Sequence, residues 1–593
     1  MRNLRNVRFD PAAAALLFAG GMCLVPFLQP RHMPPIRAFY DEWLAFAFGF
    51  AAIALAACTH RMQVTKVPAL AVCLALFAVT LLARAMSGLP GYPQSSLLWC
   101  IYALFAALIV LVGNVFAVRF GQARVCDVLA AFLLAGALAN SVAGILQVVG
   151  IPREIDAYIS HLNGTRAIGN VGQANLYANY LALGEASLAY LFARGRIGAM
   201  WAGTCGALLV LTAALAASRT SVLYAAGFAL LAFIAVRQRD DAQIRRLAGA
   251  VFLLAVSAIV AQWLVPVGMN SLGFKIEGGF ERNAASEWAG QVRDEAAHLR
   301  LVAWEQAWRM FMAAPLIGVG PSAFAGAAFA QGLPPEMAGN EVWTSPHNLL
   351  LHLLAETGLI GAGLVCIGVF VWARKAAGRF LRRADPAQWL LLACAGIEWI
   401  HACLEYSLLY AHFLALTALV MGISADADEQ PAVSGFTLRA VFASSAAAGA
   451  VVLGITLADY LKFDLASPVA IGRSLASDGD LERDRKSLAG LGRGLLASRA
   501  ELWLFLAYPL DKADLAEKLA VGERVVRFWP SREIVVRQSI FLALAGRRRE
   551  AVDLLKLGIR TYRNRGKEIV ATIRTAPREA REVLQEALPA PNQ

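Results

Sequence analysis

The strongest constraint on this chain is a series of apolar windows, each about 20 residues long, that recurs from its start to residue 457. Coiled as a helix, such a window satisfies its own backbone and presents hydrocarbon on every side, which suits a bilayer and not water. Of 593 residues 58% are hydrophobic, and mean hydropathy is +0.56, more apolar than a soluble chain of this size. We read about thirteen spans, near 11–28, 42–58, 67–85, 98–117, 125–149, 174–193, 199–217, 222–236, 247–267, 348–373, 387–404, 410–424 and 440–457. The expected class is an all-α, polytopic helical membrane protein.

The connecting loops alternate in basic charge. One set holds Arg2, Arg5 and Arg8, then Arg61 and Lys66, Arg119 and Arg124, Arg194 and Arg196, the run Arg237–Arg246, and Arg374–Arg383. The other set holds far fewer, chiefly Arg31, Arg37, Arg153, Arg166 and Arg219. Positive charge stays in the cytoplasm, so the N-terminus is expected inside. An odd span count then puts the long polar segment near 268–346, the turns at Ser218–Ser221 and Glu405–Tyr410, and the C-terminus outside. The stretch Pro11–Phe27 reads as a signal anchor, because no small-residue cleavage site follows it.

The net charge of +12 does not point to nucleic acid, because the basic residues sit in topology-setting loops or in the last 130 or so residues. The nine cysteines all fall in or beside apolar segments, with no CxxC, and read as packing residues. No Walker A loop, GxGxxG fingerprint or HExxH is present, so neither a nucleotide nor a metal is expected. After Leu457 the chain becomes charged and helically periodic. Residues 1–457 are expected to form the membrane domain and 458–593 a soluble helical domain. In the latter, Ser539–Arg563 has the spacing of a helical hairpin with a glycine-containing turn, like a tetratricopeptide unit.

Residues able to carry chemistry gather in the segments expected outside. The run TSPHNLLLHLLAETGLIGAG, from Thr344 to Gly363, ends the polar segment. Ser345 suits a helix N-cap and Pro346 the first helical position, which would put His347 in the first turn. The helix dipole there disfavours imidazolium, leaving a neutral proton acceptor, with Asn348 beside it. Capping is the plainer alternative. Glu356 is expected to pair with a neighbouring helix. Arg219, in AASRTSV, either snorkels to headgroups or grips an anion. Arg300 and Trp304 are four apart on one helix face, as a membrane-surface helix or as a second phosphate-binding arginine with an aromatic platform. Gln173 and Asn175 open the sixth span, and Tyr406 and Tyr410 flank a late turn. Amide capping and an aromatic belt are the ordinary readings of those four.

In order and placement, the SRTS turn, the R-xxx-W helix followed by P-xx-G-x-G, and S-P-H-N-xx-L-xxxx-E-x-G-xx-G resemble the O-antigen ligase and polymerase superfamily. The first outer loop QPRHMPPIRAFYDEW, the segment GNVGQANLYANY and the late turn EYSLLYAHF make the chain most similar to bacterial O-linked protein oligosaccharyltransferases of the PglL type. Ala174 replaces a proline of that pattern, and Ser407 and His412 replace a proline and an aromatic.

The resemblance implies a glycosyltransferase of the bacterial inner membrane with a periplasmic C-terminal domain. Its donor would be a glycan on undecaprenyl diphosphate, and its acceptor the Ser or Thr hydroxyls of periplasmic or pilin-like proteins. His347 would be the base, and Arg219, Arg300, Gln173 and Tyr406 would bind the donor, with Asn175, Trp304, Asn348 and Tyr410 in support. Membrane lipids are the remaining expected partner. An O-antigen ligase with a lipid A–core acceptor, a polymerase, or a transporter are the alternatives.

Overall fold

The structure, a computed structural model, describes residues 10–59, 65–162, 164–239, 241–274, 295–339, 341–425, 432–466 and 485–588. Arg2, Arg5 and Arg8, expected on the cytoplasmic side, and residues 275–294 of the long polar segment lie outside these. The helices, in chain order, are α1 (Pro11–Met22), α2 (Phe39–Ala57), α3 (Ala69–Met86), α4 (Pro93–Phe120), α5 (Gln122–Val149), α6 (Ala174–Ala193), α7 (Ala199–Leu215), α8 (Thr220–Gln238) and α9 (Ala242–Ser271). There follow α10 (Glu295–Ala313), α11 (Phe324–Gln331), α12 (Leu349–Arg382), α13 (Pro386–Ala402), α14 (Ala411–Ile423) and α15 (Gly435–Ala466). Past it lie α16 (Ala497–Ala507), α17 (Leu515–Phe528), α18 (Arg532–Leu544), α19 (Arg548–Thr561), α20 (Gly566–Arg574) and α21 (Arg578–Leu584). One antiparallel pair, β1 (Thr65–Lys66) with β2 (Ala432–Val433), is the whole of the sheet structure among the described residues.

A helix lies on each expected span. Among the described residues, nine are long and apolar enough to cross a membrane: α1 to α5, α8, α9, α12 and α15. Two shorter apolar helices are α7 and α14. The other two, α6 and α13, carry Asn175, Asn179, Glu185, Glu398 and His401. Each is nonetheless largely buried, α6 almost along its whole length. A helix enclosed by protein needs no apolar rim, because neighbours satisfy its polar groups. α6 packs against α5, α7, α8, α9 and α13. The Tyr180 hydroxyl donates to Cys23 O at 2.8 Å, and the Tyr177 hydroxyl to Asn140 O at 3.1 Å. All nine cysteines are free thiols.

The chain separates into two compact units. The first comprises Met1–Leu76, Tyr102–Arg293 and Val365–Leu453, and the second Phe77–Ile101, Asp294–Leu364 and Gly454–Gln593. In the first unit, aspartates open the helices: Asp10 caps α1, Asp241 caps α9 and Asp385 caps α13.

In the second unit, Ala307 and Met310 of α10, Phe324 and Ala328 of α11 and Ala355 of α12 form one buried apolar cluster. α11 also lies close on α17, where a side chain on Gly326 would overlap Arg527 O. Gly339 N–H donates to Thr561 O at 2.8 Å. Tyr92 donates to Glu501 at 2.8 Å, and Arg524 clasps that carboxylate through two bonds of 2.9 and 3.0 Å. The C-terminal helices are thus held to the segment that leads to His347. The hairpin read from Ser539–Arg563 is present as α18 and α19, turning at Gly546 with φ +77°.

Candidate active site

The His347 segment belongs to the second unit, and its local structure differs from the expectation. Ser345 and Pro346 do not open the helix. His347 stands outside α12 in the left-handed region, at φ +55°. Asn348 is the cap: its Oδ1 accepts from Leu351 N–H at 3.1 Å. The Ser345 hydroxyl instead accepts His347 N–H at 3.2 Å. A side chain in that region costs on the order of 1–2 kcal/mol per residue, so surrounding contacts must impose it.

Trp304 is one such contact. Expected as a flat platform, it donates its indole N–H to Pro346 O at 3.0 Å. Trp343 supplies another, meeting the His347 ring edge-on at 4.7 Å. The backbone around His347 is therefore held on one side through Ser345 and Pro346 and on the other by the Asn348 cap, with Trp343 against the ring. Arg300 lies one turn before Trp304 on α10, half-buried.

Two turns into α12 lies a backbone lock. Gly358 breaks the helix, at φ +63° and ψ −167°. The P-xx-G-x-G loop docks into that break. Val319 N–H donates to Ala355 O at 2.9 Å and Gly320 N–H to Glu356 O at 3.0 Å. In return, Leu359 N–H donates to Pro315 O at 2.8 Å and Ile360 N–H to Leu316 O at 3.2 Å. A methyl group on Gly318 would overlap the Glu356 carbonyl, and one on Gly358 the Leu316 carbonyl. The two glycines are thus explained by close backbone approach.

The Glu356 carboxylate, fully buried, accepts Ser322 N–H at 2.7 Å and Phe324 N–H at 2.9 Å. Its expected helical partner is therefore the amide start of α11. Arg84 gathers the loop's carbonyls, donating to Val319 O at 2.9 Å and to Ile317 O and Gly318 O at 3.3 and 3.4 Å.

The first unit holds the other candidates. Arg219 is exposed at the N-cap of α8, two residues after Ala217 at φ +48°. A cation opposes the dipole at a helix start, whereas an anion bound there gains from both dipole and guanidinium. Gln173 caps α6, accepting Leu176 N–H at 2.7 Å, so the capping reading holds for its oxygen.

Asn175 does not cap; it bridges. Its amide donates to Glu405 at 2.9 Å, while its oxygen accepts from Arg166 at 2.8 Å and from Ser218 at 3.2 Å. Tyr406 follows Glu405, with its ring 5.8 Å from that of Tyr410. Burial, reinforced by the Glu405 carboxylate, pushes the Tyr406 phenol up, so it stays a proton-bearing donor. The fold thus joins Gln173, Asn175, the Arg219 turn, Tyr406 and Tyr410 in one unit, and His347, Asn348, Trp304 and Arg300 in the other.

Sequence reasoning missed Arg84, Arg166, Trp343 and Glu405. Arg166 carried one legible signal, an arginine in a short loop on the side where arginines are scarce. Among the described residues no group of three His, Cys, Asp or Glu converges as a metal would need.

With this geometry in view, comparison with known proteins gives three matches. Residues 204–366 match the family described as O-antigen ligase, a stretch that holds Arg219, Arg300, Trp304, His347 and Asn348. A general O-oligosaccharyltransferase from Acinetobacter baylyi is 26% identical over 424 residues, covering 70% of this chain and 71% of that protein. The resemblance carried by the motifs is borne out: both matches support a likeness to O-oligosaccharyltransferases of the PglL type. Residues 389–576 match a second family, described as the C-terminal part of a virulence-factor membrane-bound polymerase. In this oligosaccharyltransferase-like chain that match takes in Tyr406, Tyr410 and the helices from α16 to α20.

Proposed function

We propose that the protein transfers an oligosaccharide en bloc from undecaprenyl diphosphate to Ser or Thr hydroxyls of periplasmic or pilin-like proteins. The observation that carries the reading is His347, held in a left-handed conformation at the mouth of α12 by Trp304, Ser345 and the Asn348 cap. A preset imidazole is what a weak hydroxyl nucleophile requires. It takes the acceptor's proton as the hydroxyl oxygen attacks the anomeric carbon. That carbon's bond to the diphosphate oxygen breaks, and configuration inverts in a single displacement. General-base help of this kind contributes about 10²–10⁴-fold.

The leaving group is a diphosphate, so cations matter more than a general acid. Arg219 and Arg300 supply them, and guanidinium suits two phosphate oxygens at once. The Tyr406 phenol donates to the diphosphate or to the first sugar, and Gln173 offers its amide N–H₂, since its oxygen caps α6. No metal or nucleotide takes part. The chain sits in the bacterial inner membrane, with its N-terminus in the cytoplasm and residues 458–593 in the periplasm as a tetratricopeptide-like domain.

The test uses purified full-length protein with a lipid-linked glycan and a pilin-like acceptor, scored by gel shift. His347→Ala should abolish transfer while accumulating normally and still binding donor. Wild-type activity should fall in acid as the imidazole protonates. Full activity of a well-folded His347→Ala protein refutes the mechanism. The O-antigen ligase match favours a second reading, with lipid A–core as acceptor. Transfer to that lipid and not to protein would establish it.

A further inference from the structure

We propose that Arg166 and Glu405 are positioning residues for donor binding, acting on Arg219 and Tyr406 through Asn175. The inference rests on the donor roles given to Arg219 and Tyr406 above. Three separate segments supply the first unit's donor-binding residues, Gln173, Arg219 and Tyr406: the start of α6, the turn before α8 and the turn between α13 and α14. None adjoins another in sequence, and one chain of polar contacts joins all three.

Arg166 spans the first two. Its Nε donates to Ala216 O at 2.9 Å, three residues before Arg219. Its Nη2 donates to Asn175 Oδ1 at 2.8 Å, two residues after Gln173. The neighbouring Ala167 N–H donates to Leu215 O at 3.0 Å, so the Arg166 loop is stitched to the same turn by backbone. Ser218, buried and next to Arg219, donates to the same Asn175 oxygen at 3.2 Å and pairs with Thr220 at 2.8 Å.

Asn175 then passes the link on. Its Nδ2 donates to Glu405 Oε1 at 2.9 Å, and Glu405 immediately precedes Tyr406. Glu405 is buried, so its carboxylate is fixed in place. The order is cation, amide dipole, anion, with the amide oxygen toward Arg166 and the amide nitrogen toward Glu405. In that sense both ends are charge-assisted, and the amide is polarised from both sides. An amide is the only uncharged side chain of this length with an acceptor at one corner and a donor at the other.

Ala217, at φ +48°, shows that the turn before Arg219 is held in a conformation alanine does not choose. Arg166 and Ser218 grip that turn on both sides of Ala217. Releasing them lets the turn relax and moves the guanidinium of Arg219. Losing Glu405 frees the Tyr406 turn in the same way. Neither Arg166 nor Glu405 need touch the donor for this.

The experiment measures donor KM and kcat with full-length protein, undecaprenyl-diphosphate-linked glycan and saturating acceptor. Arg166→Ala and Glu405→Ala should each raise donor KM about tenfold, with kcat at saturating donor near wild type. The double variant should be little worse than either single one, because both cut the same bridge. Asn175→Asp alone should also raise KM, by setting two carboxylates together. Adding Glu405→Gln to it reverses the donor–acceptor sense of that bond and should restore KM toward wild type.

Arg219→Lys is the reference. If it raises donor KM while the Arg166 and Glu405 variants and the Asn175→Asp protein do not, the bridge has no positioning role and this inference is overturned. If Arg219→Lys leaves KM unchanged, the donor reading itself falls, and the inference with it. Should Arg166→Ala fail to accumulate, the swap pair decides alone: no recovery over Asn175→Asp overturns the proposal.

Discussion

Replacing Glu356 by glutamine changes one atom, yet the structure says it is costly. Both carboxylate oxygens accept backbone N–H groups, from Ser322 and Phe324, in a site with no solvent exposure. Glutamine keeps one acceptor oxygen and turns an N–H₂ toward the other N–H. One hydrogen bond to a charged acceptor, worth about 1.5–3 kcal/mol, is lost, and a buried donor is left facing another. The orphaned amide adds a penalty of about 1–3 kcal/mol, part of which is already counted in the lost bond, so the total is about 2–4 kcal/mol. The opposite sign would follow if Glu356 were only a buried charge, because neutralising such a charge relieves its desolvation. The check is the apparent Tm of purified Glu356→Gln protein in detergent, with transfer assayed at a temperature where the wild type is active. A lower Tm and weaker transfer are expected, since the chain after Gly320 loses one of its two side-chain anchors on α12. Wild-type Tm and activity would refute the lock.

Further outcomes follow from other contacts. Trp304→Phe keeps the ring but removes the bond to Pro346 O, a loss of about 0.5–1.5 kcal/mol. In kinetics kcat should fall about three- to tenfold with donor KM unchanged. An unchanged kcat would mean that Trp304 does not hold the His347 segment. Gly326→Leu cannot fit against Arg527 O, so α11 and α17 must part. Limited trypsin digestion should then cut α16–α21 faster, and a wild-type digestion pattern would contradict that contact. A reporter active only in the periplasm, fused after Gln593, should be active, and activity of a cytoplasm-only reporter there would reverse the proposed orientation.

Much of this protein was legible in its sequence, because the relevant energies are local and large. An apolar window of about 20 residues gains on the order of 0.8 kcal/mol per buried methylene, whatever its neighbours are. Helices therefore stand at every expected span, and α18 and α19 stand where the hairpin spacing put them. The same hydropathy could not tell that α6 and α13 would be enclosed by other helices, since that depends on who surrounds them.

The motifs marked which segments matter, but not how they are held. At Ser345, Pro346 and His347 the local preferences for a helix start were read correctly and lost. A cap is worth only about 1 kcal/mol, and contacts from Trp304 and Trp343 with the cap at Asn348 outweigh it. Arg166 and Asn175 stand nine residues apart in irregular chain and helix, Glu405 lies 230 residues beyond Asn175, and no spacing rule joins the three. Sequence by itself determined the helices, because burying an apolar window is favourable with almost any neighbour. Only the tertiary structure decided the conformation of His347 and the bridge behind Arg219, because each depends on a few directional bonds of about 1–3 kcal/mol that exist only once distant segments meet.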